Sequence, residues 1–382
     1  MQDKLTVRTV SRISEIPRES WDHLVNEATP FMKWDWLDIL EQTGCVNEKS
    51  GWLPHHIVAE REGKLVAACA MYLKWHSMGE FVFDHEWAGY AAQAGIQYYP
   101  KMLVGVPFTP VTGPRFIADA DEDRNSLVRL LAQALIRICS ENNISSVHVN
   151  FCLEDEKDVL NEAGFLPRSG LQFHWQNQNY ASFDDYLGSF RSDRRNKIKK
   201  ERREPSKQGI TIRTVEAGEI TPALLRTMFR LYKNHIDKMY YGHQYLNREF
   251  FEDLSHRFKP YLCLVLAEKD SRVIAGTFNL QDRNALYGRY WGCFEEHRFL
   301  HFNVCYYAAI EHCIRKKYQR FEAGAGGSFK YLRGLEPQKT HSAHFIRDER
   351  FRRALQRYLK EERTYTDSKQ EALRERSPLK KG

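Results

Sequence analysis

Apolar and polar positions follow the same pattern in two separate stretches of the chain. Residues 57–71 read IVAEREGKLVAACAM, and residues 265–279 read VLAEKDSRVIAGTFN. In each, an apolar run breaks at a short polar turn, Glu62-Gly63 or Asp270-Ser271, and then resumes. This pattern predicts two strands joined by a tight turn. The stretches align without a gap: Ala59 with Ala267, Glu60 with Glu268, Ala67 with Ala275. Further strands are predicted at 79–84 (GEFVFD) and 286–292 (LYGRYWG). A second pair, GFLPRSGLQFHW at 164–175 and GLEPQKTHSAHF at 334–345, aligns Gly164, Pro167 and His174 with Gly334, Pro337 and His344. Two matches in the same order argue for internal duplication.

Between these markers each half carries an amphipathic helix and then a strand. They are predicted at 122–141 and 145–151 in the first half, and at 302–317 and 319–323 in the second. The order hairpin, strand, helix, strand, helix, strand predicts an α+β fold with a mixed sheet, built twice. The expected domains are 1–180, with an insertion at 86–118 rich in Gly, Pro and Tyr, and 181–360, opened by a basic helix at 186–204. Residues 361–382 are charged without an apolar period and are expected to fray into disorder. Arg191, Arg195, Lys199 and Arg203 are spaced four apart, so they form one ridge of the basic helix. That ridge is either a solvated face or a contact for a polyphosphate such as tRNA.

Composition narrows the class. The formal net charge of +7 suits an anionic ligand without demanding one. The eight cysteines form no CxxC pair and sit mostly in apolar stretches, so buried reduced thiols are expected and no metal site. The start, Met-Gln-Asp-Lys-Leu-Thr, does not read as a signal peptide, and no apolar run reaches the length of a membrane span. A cytoplasmic location is the expectation. Serine hydrolase, P-loop and zinc-enzyme motifs are absent.

Several segments together resemble one bacterial family. They are GWLPHH (51–56), YLKWHSMGEFVFD (72–84), YYPKMLVGVPFTPVTGPR (98–115), GLQFHW (170–175), RRNKIKKER (194–202), YGRYWGC (287–293) and FEAGAGGSFKYLRGLEP (321–337). The family is that of peptidoglycan biosynthesis or recognition, within the GNAT superfamily and related to the Fem-type peptidyltransferases. The resemblance runs in order from about residue 28 to residue 355. It implies tandem GNAT-like domains and an N-acyltransferase or aminoacyltransferase activity, with aminoacyl-tRNA as donor and an amine of a peptidoglycan precursor as acceptor. In the Fem relatives a basic stretch like 194–202 opens the second domain, and a Gly-rich turn followed by a lysine lies near the substrate groove. The chain departs from the family's pattern at GAGGSFK (324–330), where GAQGEHK is usual, and at Asn303, where Glu is frequent. Both departures remove ionisable groups, so a binding protein that has lost the reaction stays open beside the enzyme.

Acyl transfer to an amine needs a base, donors for the developing oxyanion, and contacts for the acyl donor's phosphates. Glu322 ends a predicted strand just before a Gly-rich turn and is the candidate base, or else a structural carboxylate paired with Arg333 or Lys330. Gly324, Gly326 and Gly327 permit a turn with exposed N–H groups; with Lys330 and Arg333 they form a candidate anion clamp or a plain loop with solvated cations, and Lys330 is also, with Glu322 and Tyr290, a candidate catalytic residue. Tyr290 and Trp291 are adjacent on a strand and point to opposite faces, so Tyr290 is either a proton donor to the leaving group or a buried tyrosine. His174 and His344 occupy matching places and are expected to be structural. Thr109, Thr112 and Arg115 lie on a loop stiffened by prolines and are candidate substrate contacts, with Lys74 and His76 nearby in sequence. The Gly-containing pyrophosphate motif of acetyl-CoA users is missing after both strands: CFEEHRFLHFNV follows one and HEWAGYAAQAG the other. Acyl-CoA and aminoacyl-tRNA both remain candidate donors.

Overall fold

In the computed structural model, which describes residues 5–26, 29–240 and 242–380, the chain divides into units that each draw on two stretches of sequence. Residues 1–170 and 339–368 form the first; residues 171–338 and 369–382 form the second. The division expected at 180/181 does not coincide with them, because the last strand predicted in each half belongs largely to the unit of the other half.

The first unit runs β1 (Leu5–Val10), α1 (Arg18–Val25), α2 (Trp34–Gln42), β2 (Trp52–Pro54), β3 (His56–Arg61), β4 (Lys64–Cys69), β5 (Met71–Lys74), α3 (His85–Gln93), β6 (Lys101–Val104), β7 (Ile117–Ala118), α4 (Arg124–Glu141), β8 (Ser146–Cys152), α5 (Glu154–Glu162) and the start of β9 (Leu166–Gln176). One sheet is antiparallel in the order β1-β3-β4-β7. In the other, β2, β5 and β6 pair antiparallel, β6 pairs β8 in parallel, and β8 pairs residues 341–346 of a later strand. The core between them takes Leu127, Leu131 and Leu135 from α4, the i, i+4, i+8 stripe that the helix periodicity predicts.

The second unit continues with α6 (Phe183–Gly188), α7 (Ser192–Lys207), β10 (Thr211–Glu216), α8 (Pro222–Asp237), α9 (Arg248–Arg257), β11 (Leu262–Lys269), β12 (Arg272–Gln281) and β13 (Ala285–Cys293). A helical segment follows at 300–316: α10 (Leu300–Phe302), a π-helical turn (Asn303–Tyr307) and α11 (Ala308–Lys316). Then come β14 (Arg320–Glu322), a 3₁₀ turn (Ser328–Arg333), β15 (Glu336–Ile346) and α12 (Glu349–Glu375). Strands β10 to β13 are antiparallel neighbours in sequence order. β13 pairs β14 in parallel, and β14 pairs residues 174–176 of β9 antiparallel. Thr221 and Asn247 cap α8 and α9 by accepting from Leu224 and Phe250 amides.

The duplication extends to hydrogen-bond register. Ala59 pairs Ala67 and Ala267 pairs Ala275, and each hairpin shifts register at the next residue, Glu60 or Glu268. The turn residues Glu62, Gly63, Asp270 and Ser271 all have positive φ, as the tight turn requires. β9 and β15 are both eleven residues long. His174 faces Glu322 across one ladder, and His344 faces His148 across the other.

Four sequence expectations change. Residues 79–84 are not a strand: Gly79 and Phe81 have positive φ, and Glu80 and Asp84 turn inward onto Lys101 at the start of β6. The strand position is taken by β6, so the insertion expected at 86–118 contributes to the sheet itself. The basic segment is not one helix over 186–204 but α6 and α7, with Arg191 as the N-cap of α7. The tail does not fray at 361, because α12 continues to Glu375 with Leu355, Leu359, Thr366 and Gln370 buried along it. No helix among the described residues is long and apolar enough to cross a membrane.

Candidate functional site

Strands β13 and β14 run together for only three residue pairs, Ala285 to Tyr287 against Arg320 to Glu322. β13 then continues to Cys293, while the chain after Glu322 leaves through Gly324, Gly326 and Gly327, all at positive φ. A crevice at the carboxyl ends of diverging parallel strands is where ligands bind in open sheets of this kind. Gly324 is required here, since a Cβ on it would lie 3.2 Å from the Gly288 carbonyl oxygen.

Glu322 stands at this point, 3% exposed. Its Oε1 accepts from Arg320 Nε at 2.9 Å. Arg320 also donates to the Tyr287 hydroxyl at 2.9 Å, and that hydroxyl donates to Asp282 at 2.7 Å. Glu322 Oε2 is buried and has no hydrogen-bond partner among the described residues; His174 Nε2 is 3.8 Å away. Burial lowers the His174 pKa, with Glu322 opposing the shift, so the imidazole is neutral at neutral pH. One carboxylate oxygen is therefore fixed and the other is left with its lone pairs open.

Arg289 was not singled out by sequence reasoning. The ladder between β12 and β13 pairs Asn279 with Gly288 and Phe278 with Tyr290, which leaves Arg289 as the extra residue of a bulge. Its guanidinium lies 3.5 Å from the Tyr290 hydroxyl, and burial lowers its pKa against the charges of Tyr290 and Glu322. The signal was its place in YGRYWGC. Arg320 was also legible in principle, because residues i and i+2 of a strand share a face, which puts it beside Glu322. Tyr290 packs on Tyr232 of α8 at 4.8 Å, and Trp291 turns the other way onto His301 at 5.1 Å.

Lys330 and Arg333 do not take the place expected of an anion clamp. Lys330 is 3% exposed and its Nζ donates to the carbonyls of Gly324 (2.6 Å) and Ala325 (3.2 Å), so it pins the Gly-rich turn from inside. Burial lowers its pKa to about 8. Arg333 donates to Glu201 (2.9 Å) and to the Phe329 carbonyl (2.9 Å), and its guanidinium stacks 3.3 Å over the Phe302 ring. Glu201 also accepts from the Tyr307 hydroxyl, and the Asn303 amide of the π turn donates to the Glu201 carbonyl. Glu322 pairs with neither cation. Gly326 remains in open space.

The corresponding place in the first unit is closed by its own chain. The loop after β6 carries Thr109, Thr112 and Arg115, and it lies against the carboxyl end of β8: Gly113 N–H donates to Phe151 O (3.1 Å) and Arg115 Nε to Asn150 O (2.7 Å). Arg115 is 2% exposed, and its backbone N–H donates to Glu156. Thr109 bonds its neighbour Pro107 O, and the Thr112 hydroxyl is buried with no partner among the described residues. Lys74 is fully buried over the Trp52 ring at 3.7 Å, donating to Met78 O, and His76 packs against Gly51. Thr109, Arg115, Lys74 and His76 thus face protein groups.

On α7, Lys199 and Arg203 are exposed and Arg195 half-buried; with the N-cap Arg191 they make no ion pair among the described residues. Arg194 and Arg202, by contrast, pair with Glu201 and Glu311.

Comparison with solved structures shows where the fold recurs. FemX matches with 12% identity, 89% of this chain and 98% of that chain covered, and a TM-score of 0.55. The C-terminal DUF2156 domain of a putative lysylphosphatidylglycerol synthetase from Agrobacterium fabrum matches at 9%, 89% and 95%, with a TM-score of 0.55. L-PGS from Bacillus licheniformis matches at 8%, 92% and 96%, with a TM-score of 0.54. The mixed α+β fold is thus one shared with FemX. The model of the FemAB-like family, described as peptidoglycan biosynthesis/recognition, matches residues 12–381, and the chain belongs to that family. No curated protein matches it in sequence.

Proposed function

We propose that this protein transfers an acyl or aminoacyl group to an amine, on a small molecule or a peptidoglycan precursor, at the crevice of the second unit. The observation that carries the reading is Glu322, a buried carboxylate at a parallel-strand end with Oε1 held by Arg320 and Oε2 without a hydrogen-bond partner among the described residues. In this reading the amine nitrogen attacks the donor carbonyl, and Glu322 Oε2 takes the proton the amine loses. Amides of the turn at Gly326 and Gly327 stabilise the oxyanion. When the carbon–oxygen or carbon–sulfur bond of the donor breaks, Tyr290 gives its proton to the leaving group and recovers one from solvent. Lys330 and Arg333 act on the shape of the turn rather than on substrate.

Aminoacyl-tRNA is the favoured donor. The turn after β13 lacks the glycines of a CoA pyrophosphate loop, and Arg191, Arg195, Lys199 and Arg203 have no carboxylate partner among the described residues. A cytoplasmic location fits a tRNA donor. A second reading, a binding protein that has lost the reaction, is favoured by Lys330 and Arg333, both directed onto protein groups.

Calorimetric titration of the full chain with acetyl-CoA, a longer acyl-CoA and aminoacyl-tRNA at two salt concentrations separates these. Specific aminoacyl-tRNA binding that weakens steeply with salt and survives in Glu322→Gln supports the transferase with a tRNA donor. Saturable CoA binding moves the donor to acyl-CoA. Silence from both sets leaves the binding protein as the better reading.

A further inference from the structure

A cavity of about 480 Å³ opens in the second unit between α7, β10 and α11, away from Glu322. Ile210, Ile212 and Ala308 give it an apolar wall, and Ser206, Thr214 and Arg315 contribute polar groups. The π-helical turn supplies part of the lining through Asn303 and Tyr307, and such turns are frequent at functional sites.

Arg315 is the unusual member. The other two arginines at the wall are neutralised by carboxylates: Arg202 by Glu311 at 2.7 Å, and Arg213 by Glu219 and Glu268. Arg315 makes no ion pair among the described residues; its partner is His312, whose Nδ1 receives an Arg315 N–H at 2.9 Å. Arginine only donates, so His312 Nδ1 is the acceptor and Nε2 carries the hydrogen. That Nε2–H donates to Gln281 Oε1 at 3.0 Å, and Gln281 Nε2 faces Glu216 Oε1 at 3.4 Å. His312 is 1% exposed and Gln281 7%. Burial lowers the His312 pKa to about 4, which keeps it a neutral acceptor. The chain Glu216–Gln281–His312–Arg315 has one direction throughout and ends in a guanidinium at the cavity. A buried polar relay of this kind adds little stability, but it fixes the orientation of its last member.

We propose that this cavity is a binding site for a small organic oxyanion, phosphate or carboxylate, held by the guanidinium of Arg315 with the Ser206 and Thr214 hydroxyls beside it. A guanidinium fork suits two oxygens of one planar or tetrahedral anion. The inference is independent of the chemistry at Glu322.

The test is calorimetric titration of the full chain with inorganic pyrophosphate and, separately, glutarate, at constant ionic strength. Saturable binding of pyrophosphate alone assigns a phosphorylated ligand, and of glutarate alone a carboxylate. Arg315→Ala is expected to weaken the bound anion by about tenfold or more, and Arg315→Lys, which keeps the charge but not the fork, to recover only part. Arg315 is exposed, so its loss is not expected to unfold the protein; an unchanged melting temperature checks this. The proposal is overturned if neither anion saturates, if Arg315→Ala binds as wild type does, or if Lys317→Ala, one turn end away, loses as much.

Discussion

At the residue scale, Lys330 shows how a group foreseen as a ligand becomes part of the frame. Its amine sits among protein groups, donates to two carbonyls, and has a pKa lowered from 10.5 to about 8. The unfolded chain then binds more protons than the folded one between about pH 8 and 10.5, so Lys330 makes stability rise with pH across that window. Lys330→Met should remove that contribution. Wild type is expected to gain up to about 3 kcal/mol on the variant between those pH values, read from urea unfolding at each pH. Equal slopes for both proteins would mean the amine is solvated. The place of Glu322, closing an apolar strand before a Gly-rich turn, was legible in the sequence, while its role stood open there between a base and a structural carboxylate. Its partner Arg320 was legible too, two residues back on the same strand face, but was passed over for Lys330 and Arg333, the cations that follow the turn. Arg289 was hidden by a bulge, which shifts the face of a side chain without leaving a mark in the apolar pattern.

At the element scale, the hairpins were legible to the residue, since polar turn residues and flanking β-formers determine both register and turn type. The segment 79–84 misled for a physical reason. GEFVFD alternates as a strand would, yet Glu80 and Asp84 are drawn under the loop by Lys101, which donates to Glu80 at 2.9 Å, to Asp84 and to Ser77. Such a long-range ion pair, 17 to 21 residues apart, leaves no local periodicity. Removing one partner strands the others in a buried site. Lys101→Met should therefore cost about 3 to 5 kcal/mol, measured as a lower denaturation midpoint with unchanged m-value. The triple change Lys101→Met, Glu80→Gln, Asp84→Asn should recover part of that loss, since neither carboxylate is then left buried without its lysine; recovery is incomplete because the buried Lys74, 4.0 Å from Glu80, loses its own carboxylate neighbour. A Lys101→Met protein as stable as wild type would show that water reaches the cluster.

At the scale of the whole molecule, sequence repeats reported two copies of one topology but not which strand completes which sheet. β8 of the first unit takes its outer neighbour from residues 341–346, and β14 of the second takes residues 174–176. Local patterning cannot encode that exchange, because both strands look alike in sequence. Its consequence is that a fragment of residues 1–180 lacks the outer strand of its own sheet and the 349–368 part of α12, whose Phe351, Leu355 and Leu359 pack with Trp87 and Tyr98. That fragment should show no cooperative thermal unfolding, while the full chain does; a sharp transition in the fragment would contradict the division. The most direct test of the functional account is transfer of a labelled aminoacyl group from aminoacyl-tRNA to an amine-bearing peptidoglycan precursor, with wild type and Glu322→Gln compared at equal stability. The account predicts product from wild type and a fall of about a hundredfold or more in the variant, with donor affinity retained. Equal product from both proteins would contradict it.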